Sequence, residues 1–455
     1  METFIHYLPV FMFLTLALGL FTGLPVAVVI GGVGLSFGGL GIALDVFREA
    51  QFALLVNRIY GGIVENLVLV AVPMFVFMGA MLEASGVAKD LLKALQVLLR
   101  RVPGGLALSV ALLGTILAAA TGIIGASVVL LTILALPVML QRGYSPSLAS
   151  GTIAASGTLG ILIPPSIMLV IMGDLLSISV GTLFIAALAP GLVLAVLYML
   201  YIVTVAGVRP HLAPPLADDE GPSDALGLIV MVVRSFLPVV FLIALVLGSI
   251  VGGWATPTEA SGVGAAGATL LALLKGRLSW KTMNDVVRKA VLTSAMLFFI
   301  FVGATAFSYV FRVLGGEALV IETIQAYDLS AWGILMLVMV TVFLLGFFFD
   351  WIEITLIVLP IFAPIVALLD FGTHVPKPEL IYWFTILIAV NLQSSFLTPP
   401  FGLALFFMKG AAGRAVRTRA IYRGTIPFLV IQLATLALLL AVPNVALWLP
   451  RTLGG

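Results

Sequence analysis

The 455-residue chain contains no cysteine, which excludes disulfides, thiolate metal sites and cysteine nucleophiles together. Its three histidines, His6, His211 and His374, lie far apart in sequence, which argues against a histidine-built metal site. Charge is equally scarce. Only 9% of residues are charged, 62% are hydrophobic and the net charge is +2, and a mean hydropathy of +1.26 lies outside the range of ordinary soluble domains. The chain therefore reads as an integral membrane protein. Its apolar runs show no alternating pattern, so helices are expected and a barrel is not. No Gly-rich stretch reads as a Walker A loop, which removes ATP as a driving force held within the chain. A hydrolase or transferase would need a nucleophile with a base, or a metal cluster, and the scattered polar groups supply neither; no enzyme activity, cofactor or nucleic-acid partner is expected. No basic segment precedes the first apolar run, so a cleavable signal is not expected.

What is present is one device written twice. The stretch Ser156-Gly-Thr-Leu-Gly-Ile-Leu-Ile-Pro-Pro-Ser166 places two prolines inside a membrane-length apolar run, and Asn391-Leu-Gln-Ser-Ser-Phe-Leu-Thr-Pro-Pro-Phe-Gly402 repeats it, aligning Pro164-Pro165 with Pro399-Pro400 and Ser156 with Asn391. Proline has no N–H, so the carbonyls four residues earlier lose their helical donors: Gly160 and Ile161 in the first copy, Ser395 and Phe396 in the second. Unpaired backbone at membrane depth is tolerated only where it is packed in protein or lines a wet cavity. Two interrupted helices in corresponding halves are the arrangement by which secondary carriers bring half-helix carbonyls to a cation and half-helix N-termini to an anion.

The rest of the chain is ordered around these breaks. Two spans over residues 7–42 meet at Gly23-Leu-Pro25, an amphipathic arm covers 45–65, a span covers 66–81 and a second charged arm covers 89–101. Residues 104–140 form about 37 apolar positions with Thr121-Gly122 and Gly125-Ala-Ser127 at their middle, which fits a re-entrant hairpin. The broken helix spans about 147–178 and a full span covers 182–205. A polar linker, 207–225, closes the first unit (1–206). The pattern then restarts over 226–455: spans at 226–252 and to Leu274, a basic arm at 275–289, a span at 291–311, an arm at 312–330, a hairpin at about 331–370, a broken helix at about 378–410 and a last span over 425–449. The fold class expected is thus an all-α polytopic membrane protein, an inverted-repeat helical transporter with two re-entrant hairpins and two broken helices.

Each half has an odd number of full crossings, so the halves should face opposite ways. With the arm at 89–101 in the cytosol, 17 of the 22 lysines and arginines fall on that side, leaving Arg48, Arg58, Arg312, Lys377 and Arg451 outside, as the positive-inside rule requires. Among the acids, Asp350 and Glu353 stand out at the middle of the second hairpin, in Gly346-Phe-Phe-Phe-Asp-Trp-Ile-Glu-Ile-Thr355, where they share a helix face and should approach the break at Thr398. Asp350 is equally readable as the N-cap of the returning helix. Asp174 and Glu259 belong near helix ends. No lysine or arginine falls firmly in the hydrophobic core, so an anion would be held by the half-helix N-termini at Ser166 and Gly402 and by hydroxyl or amide side chains such as Asn391.

Several segments together resemble the large membrane subunit of TRAP transporters, the tripartite ATP-independent periplasmic carriers: the first break as quoted, Thr256-Pro-Thr-Glu-Ala260, Pro73-Met-Phe-Val-Phe-Met-Gly79, Arg142-Gly-Tyr144 and Leu397-Thr-Pro-Pro-Phe-Gly402. The likeness covers nearly the whole chain. It implies a multi-pass bacterial inner-membrane protein that imports a small organic acid with Na+ as coupling ion, by an elevator movement, beside a small four-helix membrane subunit and a periplasmic binding protein, in contact with membrane lipid. Two sodium sites are then expected. One joins the hairpin tip at Ser127 to Gly157, Thr158, Gly160 and Ile161; the other joins Asp350 and Glu353 to Ser394, Ser395 and Thr398. The first tip departs from the Gly-Ser-Ser type of many members, reading Gly125-Ala-Ser127, which leaves Ser127 as the hydroxyl ligand. The alternative is a stand-alone ion-coupled carboxylate symporter or antiporter that needs no binding protein.

Overall fold

The computed structural model describes residues 2–121, 124–215, 225–347, 349–399 and 402–453, and every regular element among them is helical. The first half runs α1 (Glu2–His6), α2 (Leu8–Leu20), α3 (Val26–Ala43), α4 (Glu49–Ile59), α5 (Ala71–Ala84), α6 (Val87–Leu98), the hairpin α7 (Gly105–Thr121) and α8 (Ile124–Gln141), then α9 (Pro146–Thr158), α10 (Ile167–Leu175) and α11 (Val180–Val208). The second runs α12 (Ala225–Val251), α13 (Pro257–Leu274), α14 (Trp280–Val313), α15 (Gly316–Ala326), the hairpin α16 (Ala331–Leu345) and α17 (Trp351–Ala367), then α18 (Lys377–Ser395), α19 (Leu403–Ala412), α20 (Thr418–Ala441) and α21 (Asn444–Leu453). Among the described residues six helices are long and apolar enough to cross a membrane, or seven with one bent pair. Part of the 207–225 linker, residues 216–224, lies outside the described residues, as do Gly122, Phe348 and Pro400.

Two boundaries differ from the sequence reading. The second-half arm expected at 275–289 starts with a turn over 275–279, and its remainder from Trp280 is continuous with the span at 291–311 as one helix, α14, because nothing between Trp280 and Val302 breaks it: there is no proline, and the first glycine is Gly303. In the first half the equivalent stretch carries Gly61-Gly62 and leaves the α-helix as a π-turn at Tyr60–Val64, so that it and α5 meet at a 56° bend. The last span also ends early. Pro443 has no N–H and Val442 before it is extended (φ −130°, ψ 77°), so the chain stops at Ala441 and restarts as the short amphipathic α21.

The packing crosses between halves. The second span of each half lies on the third span of the other, α3 against α14 and α5 against α13. Small residues let these backbones touch: a Cβ added at Gly303 would lie 2.7 Å from the Ala27 carbonyl oxygen, and one at Gly34 would lie 2.9 Å from the Phe307 nitrogen. The α6 arm buries Leu91, Leu92 and Leu95 and turns Lys89, Asp90 and Lys93 outward, as an amphipathic helix must. Ion pairs Lys289–Glu83 (2.5 Å) and Lys275–Asp90 tie this side of the first half to α13 and α14. At the periphery α12 presents Ile229, Val233, Leu237 and Phe241 outward, the surface a lipid-facing helix needs. The centre is the reverse: residues 148–173 and 383–397 are buried without interruption, so the first break and the helix leading into the second lie inside protein, with Thr398 and Pro399 half-buried.

Candidate functional site at the two helix breaks

At the first break, α9 tightens into a 3-10 turn at Leu159–Ile161 and then runs irregularly to Ser166, where α10 begins. The donors that Pro164 and Pro165 withhold are only partly replaced. Leu162 and Ile163 both donate to the Leu159 carbonyl at 3.0 Å, and the Ser166 hydroxyl donates to the Ile161 carbonyl. The Gly160 carbonyl accepts none of the hydrogen bonds formed by the described residues. Of the two carbonyls expected to be bare, Ile161 is therefore capped locally and Gly160 is not.

The first hairpin closes on this break through two glycines. A Cβ at Gly114 of α7 would lie 2.5 Å from the Ser156 Cβ, and one at Gly157 would lie 2.5 Å from the Val128 Cγ2 and 3.1 Å from its backbone nitrogen. This brings Ser127, 2% exposed, to the same region as Gly157, Thr158, Gly160 and Ile161, where α8 packs on α9 and the 3-10 turn. The tip also reaches the other half, since a Cβ at Gly125 would lie 2.9 Å from the Phe407 ring of α19.

The second break is more heavily capped by its own hydroxyls. Ser394 and Ser395 donate to the Asn391 carbonyl at 2.6 and 3.3 Å, and Thr398 donates its hydroxyl to the Ser394 carbonyl at 2.8 Å. The Thr398 N–H reaches the Ser395 carbonyl at 3.2 Å, so that carbonyl is not bare as the proline count suggests, whereas Phe396 receives no backbone N–H among the described residues. The turn back into α19 needs glycine: a Cβ at Gly402 would lie 2.5 Å from the Phe396 oxygen.

The second hairpin meets this break by contacts the sequence reading missed. The Asn391 amide donates to the Met339 carbonyl of α16 at 2.6 Å, and Gly346 sits so close to Ser395 that an added Cβ would lie 2.1 Å from its hydroxyl. Asn391 thus ties hairpin to break, as its counterpart Ser156 does by abutting Gly114. The acids do not bond to residues 394–398. Asp350 caps α17, accepting from the Trp351 N–H at 2.7 Å, which is the capping role its sequence position also allowed. Glu353 is 4% exposed and lines a cavity of about 270 Å³ with Val10, Phe13 and Leu14 of α2, and its Oε2 has no partner. The reason is helical phase: residues on α17 that face α2 cannot also face α18.

The two breaks also touch each other. Gln393 Nε2 lies 3.5 Å from Thr158 Oγ1, and these residues are separated by the same interval as Pro164 and Pro399, so equivalent positions of the two halves meet. Around them the Tyr198 hydroxyl on α11 and the Gln432 amide on α20 are buried and face each other, with Thr158 also beside the hydroxyl, without closing a well-formed hydrogen bond, and Ser156 Oγ and Gln393 Oε1 are buried without a partner. Unused polar capacity is uncommon in folded interiors, and here it gathers on the broken helices and the spans that flank them. Among the described residues no group of His, Cys, Asp and Glu could hold a metal ion, so a cation at the breaks would be held by neutral oxygens.

A helix pair broken in the same way in both halves, with each break closed by its own hairpin, is the architecture of a membrane carrier, and comparison with known proteins narrows it. The sequence pattern of the DctM component of tripartite ATP-independent periplasmic transporters matches residues 13–445. The chain belongs to that family. It is 32% identical over 392 residues to the C4-dicarboxylate TRAP transporter large permease protein DctM of Pseudomonas aeruginosa, covering 86% of this chain and 88% of that one. It is 29% identical to the ectoine TRAP transporter large permease protein TeaC of Halomonas elongata, covering 92% of each. Among solved structures, the Alcanivorax borkumensis YdaH transporter has a TM-score of 0.59 at 16% identity, covering 89% of this chain and 90% of that one; at that identity the likeness speaks to the fold alone. As a TRAP large permease subunit, the protein is a multi-pass protein of the inner membrane.

Proposed function

We propose that this subunit imports a small organic acid coupled to Na+, working with a small four-helix membrane subunit and taking substrate from a periplasmic binding protein. The observation that carries the reading is the buried pair of proline-broken helices, each sealed by its own hairpin and flanked by unsatisfied neutral oxygens. One sodium site is assigned to Ser127, Gly157, Thr158, Gly160 and Ile161, with the Gly160 carbonyl as its open backbone ligand. The other is assigned to Ser394, Ser395 and Thr398, with Asp350 and Glu353 on the adjoining hairpin acting through the local field, since neither bonds the break. Substrate is assigned to the half-helix N-termini at Ser166 and Gly402, with Asn391 holding the second hairpin in place. Movement is assigned to the hairpins and broken helices, about 104–178 and 331–410, shifting as a unit against the spans and arms, with the two halves oppositely oriented.

The deciding experiment is uptake into proteoliposomes that contain the two membrane subunits, with a panel of organic acids presented by the binding protein under matched sodium and potassium gradients. Uptake that requires sodium and the binding protein supports the reading. Equal uptake in potassium would remove the coupling ion, and equal uptake without the binding protein would favour a stand-alone carrier.

A further inference from the structure

A cavity of about 490 Å³ lies away from the breaks, where the bent arm of the first half faces α14, the C-terminal end of α10 and the middle of α17. Arg58 on α4 lines it. Its guanidinium carbon stands 4.7 Å over the Tyr309 ring, and Tyr309 is itself fixed by donating its hydroxyl to the Gln51 carbonyl at 2.8 Å. Of the other charges lining the cavity, Arg312 pairs with Glu317 at 2.8 Å, and Asp174 is an acid in the same wall whose two oxygens accept from the neutral Asn66 amide at 2.8 Å. Arg58 has no acid partner among the described residues. A guanidinium placed over an aromatic ring, with no hydrogen bond of its own among the described residues, can still grip a carboxylate with two parallel hydrogen bonds.

The wall around it is shaped for a small polar ligand. Thr305 and Ser308 line it from α14, and neither hydroxyl takes part in a hydrogen bond among the described residues. Gly61 and Gly62 line it from the π-turn, and a Cβ on either would meet nothing within 4 Å, so packing does not demand glycine there; side chains would fill only the cavity. The bend that opens this space is missing from the equivalent second-half helix, α14, so the repeat does not require it. A π-turn interrupting a helix is a frequent mark of a functional site.

We propose that this cavity is an anion-docking site on the outward side of the arm, in which Arg58 receives the carboxylate of the transported acid before it reaches the breaks. The inference rests on the reading of the protein as an organic-acid carrier. A lipid headgroup phosphate is the other oxyanion that could fill the same site, and the test separates the two.

The chain has no cysteine, so Ser308→Cys in the full-length chain, assembled with its small subunit, gives one thiol facing the cavity. Its labelling is timed by mass with carboxyethyl methanethiosulfonate, an anion, and trimethylammonioethyl methanethiosulfonate, a cation. For a thiol and a unit charge lining one cavity, a representative separation of about 6 Å makes loss of that charge change each rate roughly threefold in water, in opposite directions. Arg58→Gln should therefore lower the anion-to-cation ratio by roughly tenfold at low salt, and Arg58→Lys should largely restore it. A ratio that does not change in Arg58→Gln overturns the proposal. So does a preference seen in phosphate-free maltoside micelles that vanishes in phosphatidylcholine vesicles, because lipid phosphate would then be the occupant. Labelling is read without transport, so failed uptake bears on the carrier reading and a failed ratio bears on the docking site.

Discussion

Replacing Gly157 by alanine should weaken sodium binding by prising the first hairpin off the first break. The new Cβ would lie 2.5 Å from Val128 Cγ2 and 3.1 Å from the Val128 Cα and backbone nitrogen, against an optimal carbon separation of about 3.5–4.0 Å. The hairpin must then retreat by about 1 Å, and overpacking of this kind costs about 1–3 kcal/mol. If that strain falls on the closed, ion-holding arrangement, sodium affinity drops by roughly 5- to 150-fold. The assay is the sodium concentration that half-saturates the rise in melting temperature of the purified complex, with potassium as control. Val128→Ala removes the worst contact but leaves the backbone ones, so the double variant should recover part of the loss and not all of it. An unchanged half-saturation in Gly157→Ala, or losses that simply add in the double variant, would show that Val128 and Gly157 do not set the geometry of an ion site.

Replacing Pro164 and Pro165 together by alanine returns helical donors to Gly160 and Ile161, so sodium-driven uptake should fall sharply at normal membrane expression; retained uptake would reduce the prolines to kinks. Asn391→Leu removes the bond that ties α18 to the Met339 carbonyl of α16; that carbonyl keeps its place in the α16 ladder, so the net worth of one hydrogen bond is lost, about 0.5–1.5 kcal/mol, read as a lower melting temperature with or without sodium. Thr256→Ala removes the N-cap of α13, whose hydroxyl accepts the Glu259 N–H at 3.2 Å; a loss of about 0.5–2 kcal/mol is expected, with transport per folded molecule unchanged. Cysteines at Val76 on α5 and at successive positions of α7 should crosslink at different positions under inward- and outward-facing conditions; one fixed pattern in a complex that still transports while locked would replace the elevator with local gating.

Composition and the doubled Pro-Pro device determined most of the architecture, because hydropathy, helix breaking by proline and the placement of charge are local properties that no partner can alter. Those properties placed the hairpins, the breaks and the arms, whereas the expectation that Ser127 meets Gly157 came from the resemblance to the TRAP family. The continuous α14 was legible too, in the lack of any breaker between Trp280 and Val302. Other features depend on which faces meet. Glu353 and the second break are close in the argument from sequence, yet the phase of α17 turns Glu353 toward α2, and no pattern within either segment reveals that. Ile161 and Ser395 were counted as bare carbonyls, but Ser166 Oγ and the Thr398 N–H fold back to cap them, a choice made by turn geometry. Arg58 shows the limit most plainly. In sequence it is one charge on an amphipathic arm; only the folded chain sets it over Tyr309, 251 positions later in the sequence, without an ion pair among the described residues, because long-range packing decides which charges find partners.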